Sequence, residues 1–175
     1  MGSLGTVSLY KSKGSLWFKF IEGSIFTQND KTIVNDHAIM LTFCKSIGDK
    51  KYDNKNQVKI SLTYWDVIRL YKSMLKGFTE PDAKGEKGRT LIHKYGNRTT
   101  TLRVGPGTEG TYGWSINQKE TGETDGKNIP IFCDGDEMFG IRFYFEKALN
   151  EMVTELKRGN NEHGSIVNTD DPITE

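Results

Sequence analysis

Apolar and polar positions alternate along the first third of the chain. Leu16, Phe18 and Phe20 share one parity, and Trp17 and Lys19 the other. A turn at Glu22-Gly23-Ser24 leads to a short strand-like run, Ile25-Phe26-Thr27, and then to the polar turn Gln28-Asn29-Asp30. Ala38 to Ile47 is rich in β-formers and ends in a loop at Gly48-Asp49-Lys50-Lys51. Gln57 to Leu62 sets Val58, Ile60 and Leu62 against Gln57, Lys59 and Ser61, the pattern of a half-buried strand. The period then lengthens. Tyr64, Val67, Ile68, Tyr71, Met74 and Leu75 recur at three- and four-residue spacing, behind a Thr63…Asp66 pair that fits a capping box and ahead of Gly77.

After a linker over 80–88, the order repeats. Arg89 to Tyr95, Thr99 to Val104, Tyr112 to Lys119 and Ile129 to Cys133 read as strands. Asp134-Gly135-Asp136 caps a second helix, whose apolar stripe is Ile141, Phe145, Ala148, Leu149, Met152 and Leu156. The expected fold is α+β. It has two tandem strand-strand-strand-strand-helix units, over 16–77 and 89–158, with antiparallel sheets and both helices packed on one face. These units form one domain, 1–159, followed by a flexible acidic tail, 160–175.

Composition narrows the function. No apolar run is long enough to span a bilayer, and Met1 to Phe20 does not read as a secretory signal. Cys44 and Cys133 lie in separate apolar runs without metal-ligand spacing and read as buried reduced thiols, consistent with a cytoplasmic protein. His37, His93 and His163 make no metal or catalytic constellation. The stretch Gly105-Pro106-Gly107-Thr108-Glu109-Gly110 lacks the Lys-Ser/Thr and the helix of a phosphate loop, and reads as a hairpin connection. Asp134, Asp136 and Glu137 suit a helix N-terminus without any metal. Neither cofactor, metal nor enzymatic activity is expected.

Charge supplies the positive signal. The net charge is +1, but the tail holds Glu162, Asp170, Asp171 and Glu175 and no Lys or Arg. Without those four acids, 24 basic side chains face 19 acidic ones, so the body carries about +5. If two helices cover one face of the strands, the other face is open. Parity places Trp17, Lys19, Lys59, Lys94 and Arg103 there, with Arg98 at a turn. Tyr112 and Trp114 are further candidates. Aromatic rings interleaved with cations on an open sheet suit unpaired bases and their phosphates.

This arrangement resembles the PUR and Whirly superfamily of single-stranded nucleic-acid-binding proteins, whose fold pairs two four-strand-plus-helix units. The order of elements carries the likeness over Leu16 to about Arg158, and Phe139 to Leu149 looks like a helix of that kind. The resemblance implies a non-enzymatic role in replication, recombination or repair, as a homodimer or higher oligomer, in a prokaryotic or phage-infected cell. The acidic terminus looks like those of bacterial and phage single-strand-binding proteins, which implies replication proteins as partners; it ends Pro172-Ile173-Thr174-Glu175 without their terminal aromatic. Single-stranded DNA is the expected ligand. The alternatives are single-stranded RNA, or a structural or assembly role in which exposed aromatics make protein contacts.

Overall fold

The computed structural model describes residues 4–28, 31–81, 85 and 87–163, with the backbone alone over 25–35 and 155–163. The elements run β1 (Thr6–Lys11), β2 (Gly14–Ile21), β3 (Ser24–Gln28), β4 (Lys31–Asn35), β5 (Ala38–Gly48), β6 (Lys51–Tyr52), β7 (Val58–Leu62), α1 (Tyr64–Leu75), β8 (Arg89–Tyr95), β9 (Arg98–Pro106), β10 (Tyr112–Glu120), β11 (Lys127–Cys133) and α2 (Gly135–His163).

Two antiparallel sheets result. In the first, β1, β2, β5 and β7 lie side by side, and β6 extends the hairpin at the end of β5. In the second, β8 to β11 form a meander. A helix follows each, so the two-unit α+β order expected from the sequence holds. Two details differ. The run Ile25-Phe26-Thr27 is not in the main sheet, because β3 pairs only with β4 in a hairpin continuing beyond the Ile21–Ala38 pair. The fourth strand is instead β1, which precedes the expected start of the first unit at residue 16; its alternation of Val7 and Leu9 with Thr6, Ser8 and Tyr10 is the signal. Also, α2 runs to His163 rather than ending near Arg158. Residues 164–175 of the acidic tail, and 82–84 and 86 of the linker, lie outside the described residues.

Local chemistry fixes the helix ends. The Thr63 side chain accepts from the Asp66 backbone N–H, and the Asp66 carboxylate accepts from the Thr63 backbone N–H at 3.1 Å. That is the reciprocal cap read from the sequence. At the other end the Phe78 N–H reaches the Ser73 carbonyl and the Gly77 N–H the Met74 carbonyl, with Gly77 at φ +60°, a Schellman stop. In α2, Asp134 and Glu137 make the same reciprocal cap, and Lys11 Nζ pairs with Glu137 at 2.6 Å. These acids therefore serve the helix terminus and an ion pair to β1.

One core joins both units. Leu16, Phe18, Leu41, Phe43, Ile60 and Leu62 from the first sheet meet Leu102, Val104, Trp114 and Ile116 from the second, and Val67, Leu70, Phe145 and Ala148 from the helices. Phe18 is its centre. Its ring lies 5.2 Å from that of Trp114, almost perpendicular, and 6.1 Å from that of Phe145. The sheets also touch at an edge: β11 packs against β1, β2 and β5, where a Cβ at Gly14 would come within 2.4 Å of the Cys44 carbonyl oxygen and 2.9 Å of the Ile131 side chain. Only glycine fits there.

Candidate nucleic-acid interface

Since both helices cover the same side, strand parity defines an open side on each sheet. On the first sheet, Ser8, Trp17, Thr42 and Lys59 stand in one transverse row, and Thr6, Lys19, Met40 and Ser61 in the next. Lys19 and Lys59 are exposed, while Trp17 is half-buried among them and its Nε1 is buried with no hydrogen-bond partner among the described residues. Tyr10, 59% exposed, extends this side along β1. Beyond it the loop between β5 and β7 folds over the sheet. The Tyr52 ring lies 5.5 Å from that of Tyr10, and Cys44 Sγ meets Asn54 Oδ1 at 3.6 Å, so Ser15 and Cys44 are fully buried. In the same loop, hydrogen bonds from the Asn56 side chain and from backbone amides hold the Asp53 carboxyl below its ordinary value.

The second sheet has an open side of different texture. Thr90, Arg103, Ser115 and Pro130 form one row; Ile92, Thr101, Asn117 and Asn128 the next; Lys94, Thr99 and Lys119 a third. Gly105, Gly113 and Phe132 form a row at the opposite end. Lys13, from the β1–β2 turn, sits 5.6 Å above the Phe132 ring, so the two open sides meet at that corner.

The structure therefore brings Trp17, Lys19 and Lys59 together on one sheet and places Lys94 and Arg103 on the open side of the other. The remaining three candidates lie on the helix side. Trp114 is fully buried in the core and cannot offer its ring to a base. Tyr112 is half-buried, 6.1 Å from the Phe78 ring. Arg98, opposite Tyr95 and Glu120, pairs with Glu120 at 3.7 Å. In β10 the polar set Gly113, Ser115, Asn117 faces outward, which turns Tyr112, Trp114 and Ile116 inward, and in β9 Arg98 shares the parity of the core residues Leu102 and Val104. Sequence reading passed over Tyr10, Lys13, Lys119 and Phe132. The alternation of Ile129, Ile131 and Cys133 with Pro130 and Phe132 was the available signal for the last.

Comparison with known proteins fixes the lineage of this arrangement. The sequence profile described as "Whirly transcription factor" matches residues 9–131, most of both sheets. The chain belongs to the Whirly family. Solved structures agree in fold. WHY1 from Arabidopsis thaliana superposes with a TM-score of 0.70 at 16% identity, covering 97% of each chain. The plant transcriptional regulator PBF-2 gives 0.67 at 15% identity, covering 92% of this Whirly chain and 88% of its own. The MRP1/MRP2 structures of Trypanosoma brucei give 0.51 at 12% identity, covering 86% and 94%. A search of curated protein sequences returns no match.

Proposed function

We infer that this Whirly-family chain binds single-stranded DNA across the open sides of its two sheets, without catalysis and largely without sequence preference. One observation carries the reading. The open rows hold Lys19, Lys59, Lys94, Arg103 and Lys119 and not one Asp or Glu, whereas the acids lie in loops, as Asp53 and Glu109 do, on the helix side at the end of β10, as Glu120 does, and on the helices, as Asp66, Asp136, Glu146 and Glu151 do. Strand rows with cations and no acids, bounded at the Tyr10 end by the loop that holds Asp53, carry partly exposed rings and suit a flexible polyanion whose bases are free to stack. Membership of a family that binds single-stranded DNA supports the same ligand. Replication, recombination and repair are the processes in which such a strand is exposed, and we place the protein there, as a homo-oligomer. The family description and the relationship to PBF-2 favour a second reading, control of transcription through melted DNA.

Fluorescence anisotropy with labelled single-stranded DNA, single-stranded RNA and duplex, at two salt concentrations, tests the proposal. Salt-sensitive binding is expected, strongest for single-stranded DNA. No salt-sensitive binding at micromolar protein would overturn it.

A further inference from the structure

On the second sheet, the row Gly105–Gly113–Phe132 differs from every other open row in having no side chain on two of its three strands. A cleft of about 140 Å³ opens there, lined by Lys87, Arg103, Pro106, Gly113, Pro130 and Phe132 among others. It is well below the size of a drug-sized ligand site and suits one planar ring. Gly105 lies under the chain at 87–88, since a Cβ there would come within 3.0 Å of the Lys87 carbonyl oxygen. Gly113 stays uncovered and forms the floor. A Cβ at Gly113 would sit 3.4 Å from the edge of the Phe132 ring, so any larger side chain would fill the space beside that ring. Phe132 is 44% exposed and forms the wall.

We propose that this cleft is a base subsite: one unpaired nucleobase inserts over Gly113 and stacks against Phe132, while its flanking phosphates meet Lys13 and Lys87. The inference rests on the single-strand reading above and deepens it. The surroundings favour a base over an apolar peptide side chain. Lys13, Lys87 and Arg103 surround the cleft, and no acid is among its described lining residues. The ring of Phe132 already carries the Lys13 ammonium near one face, so cation and stacking platform arrive together. Pro130 and Ser115, paired in the adjacent row, give the base a second apolar edge and a hydroxyl within the same strands. The position is also where the first sheet's β1–β2 turn meets the second sheet, so a strand crossing from one open side to the other passes over it.

The test uses the full chain and an oligothymidylate carrying one 2-aminopurine, whose fluorescence changes when the base stacks. Phe132→Ala should weaken binding about tenfold, within the range for loss of one stacked base, and abolish the fluorescence change. Phe132→Tyr should retain both. Gly113→Val, which fills the cleft and leaves Phe132 in place, should reproduce the alanine result with a circular dichroism melt near that of the wild type. If the wild type fails to bind the oligonucleotide, the single-strand reading itself falls. If the wild type binds and both Phe132→Ala and Gly113→Val leave affinity and fluorescence unchanged, the base subsite is wrong and the broader reading stands.

Discussion

The two sheets place their tryptophans on opposite sides. Trp17 of β2 stands on the open side of the first sheet, beside Thr42 and Lys59. Trp114 of β10 stands on the helix side of the second, fully buried against Phe18 and Phe145. Both lie in strands of alternating pattern, so alternation alone does not tell them apart. What separates them is the other parity. Trp17 alternates with Leu16, Phe18 and Phe20, which claim the core; Trp114 alternates with Gly113, Ser115 and Asn117, which do not. A ring faces solvent when its neighbours in sequence are the more apolar set.

Truncating each tryptophan sharpens this contrast most. Trp114→Ala should cost about 3–5 kcal/mol of stability, because it opens a large cavity at the meeting point of both sheets and α2. Trp17→Ala should lower the melt far less and instead weaken binding to single-stranded DNA. Chemical denaturation paired with anisotropy separates the two outcomes, and equal loss of stability in both variants would contradict the assignment of sides.

Burial on the helix side also shows in titration. On the helix side of the second sheet, burial pushes the Cys133 thiol up to about 12, and burial does the same to the Tyr144 hydroxyl on α2. The folded state thus holds both groups neutral, while the unfolded chain ionises them near the ordinary 9.0 and 10.0. Stability should therefore be full below about pH 9 and fall as pH rises toward 12, by up to about 1.4 kcal/mol per pH unit for each group. Cys133→Ala should reduce that fall in urea titrations between pH 9 and 10, where the tyrosine contributes little and the Cys44 thiol, also raised by burial, supplies the remainder. An unchanged slope would mean that the thiol is not sequestered in the folded state.

The smallest expected effects are on the surface. Lys19→Ala and Lys59→Ala should each reduce the slope of log affinity against log salt by about 0.7, the value for one lost single-strand phosphate contact. Arg98→Ala removes an exposed ion pair on the helix side of the β8–β9 turn and should leave that slope unchanged. Equal slopes for the Lys19 and Arg98 variants would show that charge alone, irrespective of side, sets affinity.

Much of this fold is legible in the sequence because its local signals agree with one another. The Thr63–Asp66 cap, the Gly77 stop and the alternation of Val58, Ile60 and Leu62 all survive intact in the structure. Strand β1 is harder to see: it is six residues long, next to a glycine-rich start, and its alternation rests on Val7 and Leu9 alone until pairing with β2 confirms it. The hairpin of β3 and β4 has ordinary strand composition, and no local feature says that it leaves the main sheet. The candidate interface divided along the same line. Lys19, Lys59, Lys94 and Arg103 follow from parity. Phe132 and Lys13 meet only through contact between the two units, which no single strand's pattern contains.

Among the described residues, several of the most exposed large rings are not on the proposed path. Tyr95, on the helix side at the end of β8, is 89% exposed, Trp65 on α1 65%, and Phe139 and Phe143 on α2 60% and 52%, all more open than Phe132. Photo-crosslinking of bromodeoxyuridine-substituted single-stranded DNA to the whole protein, with the adducts mapped by mass spectrometry, sets side against exposure. Adducts at Tyr10, Trp17 and Phe132 are predicted. Adducts concentrated at Trp65, Tyr95, Phe139 and Phe143 would contradict binding on the open sides of the sheets.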